Sequence, residues 1–148
     1  IELADDGLSL KPGAGKRKIA GDQYEGTYIH KRDGYYYLIV STGDFMKDYH
    51  VVVGRSRSLM GPYVDRAGRD MLGVHHELVV GNGNGFVAPG HNAEFVTDDK
   101  GQDWMLYHTR LEVGGPRYLI LDRIEWNDGW PEVRGYVPAR SAEAPVFE

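Results

Sequence analysis

Cysteine is absent from the 148-residue sequence, so disulfides and thiolate–metal centres are excluded. That absence does not fix a compartment. No stretch approaches the roughly 20 apolar residues of a membrane span, and no signal-peptide pattern opens the chain. Positive charge is in deficit: 17 Lys and Arg stand against 22 Asp and Glu, a net charge of −5. Neither nucleic acid nor an anionic membrane is expected as the main partner of such a chain. Helical periodicity is missing throughout. The length suffices for one domain with a sizeable core. The chain opens at Ile1 without an initiator methionine, and "IELADDGLSL" reads as a strand end followed by a turn. The expectation is a processed, cleaved or engineered N-terminus and a chain that is part of something larger.

Glycine is abundant, at 20 residues, and aromatic residues make up 11 %. That composition favours an all-β domain with many tight turns. Strand patterns fall at 27–31, 35–41, 49–55, 93–97, 103–109 and 117–126. Turn sequences separate them: "RDG" at 32–34, "DDKGQ" at 98–102, "VGGP" at 113–116 and "NDG" at 127–129. Residues 12–22 read as a linker or long loop, and "VGNGNG" at 80–85 as a flexible stretch. The two halves repeat each other weakly. "TYIHKRDGYYYLIVST" leads to "YHVVVGRSRSLMGPYVD", and "AEFVTDDKGQDWMLYHT" leads to "PRYLILDRIEWNDGWPEV". Each half reads strand, tight turn, strand, loop, strand, turn, short edge strand. Repeated four-stranded antiparallel units are the pattern of propeller blades, here about residues 23–66 and 88–136. Two hairpin pairs of a β-sandwich fit the same composition. Two blades do not close a ring.

In a propeller the first strand of each blade lines the central channel. Glu25 precedes that strand in the first unit and His91 in the second, so both are placed to face the axis. Glu25 reads as either a loop-end charge or a proton donor, and His91 as either a turn residue or part of a site. Asp44 and Asp48 read as solvated loop charges, and the adjacent His75 and His76 as a zinc pair only superficially. Trp104, Tyr107 and Trp130 are expected to pack between blades, and Arg55 to brace a neighbouring strand or blade.

"YEGTYIHKRDGYYYLIVS", "VVVGRSRSLMGPYVD", "GHNAEFVTDDKGQDWMLYH" and "LDRIEWNDGWPEV" occur in one order over nearly the whole chain. Together they resemble the C-terminal half of glycoside hydrolase family 43, in its arabinanase branch. The resemblance implies a partial five-bladed β-propeller: about two blades of four antiparallel strands plus a strand from a third, with the N-terminal blades absent. It implies an inverting hydrolase acting on arabinan or a related arabinose- or xylose-containing plant polysaccharide. It also implies a secreted or periplasmic location. By the same resemblance Glu25 is the general acid and His91 holds a hydrated calcium ion. Tyr24 and Phe86 are candidate substrate contacts. Inverting hydrolysis requires a second carboxylate as base, and the family's base and pKa-tuning aspartates would both lie upstream of Ile1. None of Asp5, Asp6, Asp22, Asp33, Asp98, Asp99 and Asp128 is expected to replace them. The expected partners are therefore a polysaccharide or oligosaccharide and either an N-terminal companion fragment or further copies of the chain. The alternative is a catalytically incomplete fragment that binds carbohydrate or self-assembles.

Overall fold

The computed structural model describes all residues from Ile1 to Glu148. Two antiparallel sheets account for most of it. The first contains β1 (Glu25–Arg32), β2 (Tyr35–Thr42), β3 (His50–Ser56) and β4 (Glu77–Val80), hydrogen-bonded in that order. Arg32 pairs with Tyr35 across a two-residue Asp33–Gly34 turn. Both turn residues have positive φ, at 49° and 76°, which suits the turn to the right-handed twist of the strands it joins.

The middle strands β2 and β3 are buried or half-buried at every position because both faces of the sheet are covered. Tyr37, Ile39, Val51 and Val53 face the second sheet and join Phe95, Met105, Tyr107, Ile124 and Trp130 in the main core. Leu38, Val40 and Val52 point the other way, onto Tyr63 and Met71, with Ile19, Ala20 and Tyr24 packed over them. Alternation along a strand thus feeds two cores from one sheet.

The second sheet is built on β7 (Asp103–Arg110), which pairs along one edge with β8 (Tyr118–Arg123). Its other edge carries two short strands, β5 (Val87–Gly90) and β6 (Phe95–Thr97). Val87 and Gly90 pair with Arg110 and His108, and Phe95 to Thr97 continue along Met105 to Asp103. This is one inner strand interrupted at residues 91–94. A separate hairpin, β9 (Glu125–Asn127) with β10 (Trp130–Glu132), turns at Asp128–Gly129. Its Trp126 and Trp130 pack edge-on against Tyr37.

Three expectations shift in register. The fourth strand of the first sheet is 77–80, outside the expected unit of about 23–66, so the first sheet extends past residue 66. Val64 makes only isolated bridges to Arg55 and Asp70. The run 117–126 breaks at Ile124, whose N–H turns back to the Asp103 carbonyl. Residues 1–24 hold no strand, only a bridge between Leu3 and Leu10. Helix is confined to two single turns at Met71–Gly73 and Arg134–Tyr136, and no helix is long and apolar enough to cross a membrane.

Candidate active site

The two inner strands begin at the same end of the molecule, and the break in the second is what shapes the site. Ala88 and His91 both have φ of 53°, a left-handed conformation unusual for residues with side chains. The backbone leaves the ladder there, and His91 lies against Gly26 of β1. A Cβ on Gly26 would stand 3.3 Å from the His91 ring. The His91 N–H donates to Ser41 Oγ at 2.8 Å, and Ser41 is the cross-strand partner of Glu25. One serine therefore ties the start of β1 to the break in the second sheet.

Glu25, Phe45, Tyr49, His91, His108 and Arg117 line a single cleft of ≈ 380 Å³. Tyr49 Oη donates to Glu25 Oε2 at 2.9 Å. The Tyr49 ring is only 2 % exposed, and burial, reinforced by the neighbouring Glu25 carboxylate, pushes its hydroxyl up to about 12. Gly90 is glycine for a steric reason: a Cβ there would lie 2.1 Å from the Tyr49 ring. Tyr49 stacks on His108 with ring centres 5.9 Å apart, and His108 on His91 at 6.4 Å. Burial, with the charges of Arg117 and Arg110 nearby, lowers His108 to about 4, so its imidazole is neutral at ordinary pH. Its Nδ1 is buried without a partner, as is Asn92 Oδ1 beside the same break.

Loop 43–48 closes the rim. Gly114 N–H bonds the Met46 carbonyl, Arg110 Nε donates to the Phe45 carbonyl at 3.2 Å, and Arg117 lies over the Phe45 ring at 5.7 Å. Asp44 and Asp48 accept backbone N–H groups of this loop, which agrees with their reading as loop charges.

The structure thus brings Glu25 and His91 together, and leaves the other two candidates elsewhere. Phe86 lines a different cavity, of ≈ 500 Å³, with Trp104, Tyr118 and the tail segment 139–145. Tyr24 turns away from the cleft: its hydroxyl meets His76 Nδ1 at 2.7 Å, among the second core. Both displacements follow from strand alternation and chain reversal. Tyr24 precedes Glu25 and takes the opposite face, while Phe86 sits before β5, five residues from the break that presents His91. Four cleft residues, Phe45, Tyr49, His108 and Arg117, were not singled out as site candidates in the sequence. The signal that finds Tyr49 and His108 is glycine: a bulky ring opposite an obligatory Gly90 marks a close approach.

None of the other aspartates considered as a base lines this cleft. Asp6 caps its own turn through the Leu8 and Ser9 N–H groups. Asp98 orders its loop and accepts from Trp104 Nε1 at 3.0 Å, and Asp22 pairs with Lys18. Trp104, Tyr107 and Trp130 are buried as packing residues. Arg55 braces the β9–β10 hairpin, donating to the Gly129 carbonyl at 3.2 Å and lying over Trp130 at 4.4 Å. No group of three or more His, Cys, Asp or Glu side chains converges to hold a metal. From this chain the cleft offers two imidazoles, one carboxylate and a guanidinium, so most of the oxygen shell that calcium requires would have to come from water or from residues outside this chain.

Two four-stranded antiparallel sheets whose inner strands bring a carboxylate and an imidazole to one cleft fit part of a β-propeller. The chain belongs to glycosyl hydrolases family 43, whose family model matches residues 1–131, and the fold is accordingly a partial five-bladed β-propeller. An extracellular exo-α-(1→5)-L-arabinofuranosidase of Cellvibrio japonicus is 33 % identical over 117 residues, covering 75 % of this chain and 33 % of that protein. An extracellular endo-α-(1→5)-L-arabinanase of Thermotoga petrophila is 32 % identical over 147 residues, covering 80 % of this chain and 31 % of that protein. The solved α-L-arabinanase of Cellvibrio cellulosa in complex with arabinohexaose superposes with a TM-score of 0.79 at 29 % identity. That superposition covers 93 % of this chain and 51 % of the arabinanase. The chain therefore spans about a third of those two curated relatives and about half of the solved enzyme.

Proposed function

We propose that this chain supplies the acid-bearing part of an inverting glycoside hydrolase that cleaves arabinan, with Glu25 as the general acid. The observation that carries the reading is the Glu25 carboxyl, held by Tyr49 at the wall of a cleft shared with His91, His108 and Arg117. In the proposed reaction Glu25 gives its proton to the glycosidic oxygen as the bond to the anomeric carbon breaks. Water adds to that carbon from the opposite face, and its proton passes to a base carboxylate. That base comes from the remainder of the propeller, as a preceding part of the protein or a companion chain. The extracellular naming of the relatives and their arabinan-directed activities support secretion and an arabinose-containing substrate. His91 is the residue this chain would offer to a hydrated calcium ion. With a single imidazole and no second oxygen donor set from this chain, no step is routed through that ion.

The test is Glu25→Gln in the complete protein. General acid catalysis contributes about 10²- to 10⁴-fold, so hydrolysis of arabinan should fall by that range. Aryl arabinosides with good leaving groups need little protonation and should retain most activity. Equal loss on both substrates refutes the acid assignment. Absence of any activity in the unsubstituted protein, with arabinan binding retained, favours the non-catalytic module instead.

A further inference from the structure

We propose that Tyr49 is the positioning residue of Glu25, fixing the acidic proton on Oε1 by holding Oε2 as the acceptor of its own hydroxyl. The inference rests on the reading of Glu25 as general acid. A phenol hydroxyl has one proton to give, and Tyr49 Oη gives it to Glu25 Oε2 at 2.9 Å. In a protonated carboxyl the carbonyl oxygen is the better acceptor, so the carboxyl proton resides on the other oxygen, Oε1. When that proton moves to the glycosidic oxygen, Glu25 becomes a carboxylate and Tyr49 keeps its proton. The bond between them turns from neutral to charge-assisted and shortens. Tyr49 thereby favours the state reached after proton transfer more than the state before it, which is the condition for an interaction to raise the rate.

The rest of the geometry serves this placement. Tyr49 is buried just before β3, its ring stacked on His108 and lying against the backbone of Gly90, the cross-strand partner of His108. Gly90 admits the ring only because it has no Cβ, and Gly90 belongs to the strand whose interruption presents His91. The hydroxyl of Tyr49 stays protonated throughout any working pH, being pushed up to about 12. The groups of the cleft around Glu25 are neutral His108, His91 and the Arg117 guanidinium. None of these makes a hydrogen bond to Glu25, so within this chain Tyr49 is the one side chain hydrogen-bonded to the acid.

Tyr49→Phe in the complete protein removes the hydroxyl and keeps the ring stack. Loss of a donor to the charged form favours the protonated carboxyl. The alkaline limb of the kcat profile should therefore move up by about one pH unit, with kcat on arabinan reduced about tenfold. The loss should be smaller on aryl arabinosides with good leaving groups. A merely structural role predicts the opposite: a loosened, wetter site favours the ionised carboxyl, and the loss is uniform across leaving groups. An unmoved or lowered alkaline limb, or a uniform loss, overturns the inference. If Tyr49→Phe does not fold, 3-fluorotyrosine at position 49 replaces it. Its more acidic phenol is a stronger donor and should move the limb down, and an unmoved limb again overturns the inference. The Glu25→Gln leaving-group test separates the two failures. If Glu25→Gln shows no leaving-group dependence, the acid assignment fails. If it does and Tyr49→Phe does not, only the role of Tyr49 fails.

Discussion

The two ends of the inner strands are built on opposite principles. At the far end, seven residues along β1 from Glu25 and so about 23 Å away at roughly 3.3 Å per residue, every buried polar group is used. Asp103, 3 % exposed, accepts from Arg32 at 2.9 Å, from Thr97 at 2.6 Å and from Trp126 at 2.7 Å. Tyr37 Oη donates to the Gly129 carbonyl at 2.7 Å, and Arg55 lies between the rings of Tyr35 and Trp130. At the cleft end Glu25 has one partner, and the two buried side-chain atoms without any partner, His108 Nδ1 and Asn92 Oδ1, belong to residues on or beside the β5–β6 break. Buried polar groups normally find partners, so a concentration of spare ones at one end marks where a ligand or water belongs. The far end locks the two sheets together, which lets the cleft end keep groups free for chemistry.

The largest test of this contrast pairs Glu25→Gln with Asp103→Ala. The first should remove about 10²- to 10⁴-fold of activity while leaving the melting temperature nearly unchanged. The second strands Arg32 and Trp126 and should lower unfolding stability by about 3 kcal/mol, read by denaturant titration. A large stability loss from Glu25→Gln would erase the distinction. Gly90→Ala should affect both properties, because the new Cβ drives the Tyr49 ring from its place. A cost of about 1–3 kcal/mol is expected for such overpacking, together with reduced arabinan hydrolysis. Full activity with an intact fold would show that the ring has room to yield. Arg55→Ala, at the far end, should cost about 1 kcal/mol through two lost cation–π contacts, and activity per folded molecule should not change.

The smallest effect concerns acid. Burial lowers the titration of His30, His76 and His108 below the ordinary 6.5, the last to about 4. Each is neutral in the folded protein and takes up a proton on unfolding as pH falls below 6.5. Their contribution is complete above pH 6.5 and is lost progressively towards pH 4. Thermal melting followed across that window should show a falling midpoint, and His108→Gln should flatten the slope. Asp122 opposes it modestly, since burial raises its carboxyl. A midpoint independent of pH between 6.5 and 4 would contradict the buried, neutral state of these imidazoles.

Much of the fold was legible because its signals are local. "RDG" and "NDG" specify two-residue turns with positive φ, and they appear at Asp33–Gly34 and Asp128–Gly129. The apolar runs 35–41 and 49–55 became the doubly covered β2 and β3. The fourth strand at 77–80 was missed because "ELVV" is short and polar-flanked, and the loop that precedes it makes its own bridges through Val64. The break between β5 and β6 was also hidden: nothing local in "VAPGHNAEF" distinguishes an interrupted strand from a loop before one. Glu25 and His91 could be paired from the weak repeat, since matching positions in matching units meet near a common axis. Phe86 and Tyr24 lie away from the cleft because proximity in sequence to a site residue does not fix which face a side chain takes.

The sequence by itself determined the all-β class, the hairpin turns, the repeat of sheet units and the family, since these are written in residue types and short spacings. Only the tertiary structure decided that Tyr49, from the residue before the third strand of one sheet, and His108, from the central strand of the other, meet near Glu25. Their convergence depends on a backbone break at His91 and on the missing Cβ of Gly90, and such contacts between distant segments exist only once both sheets have packed.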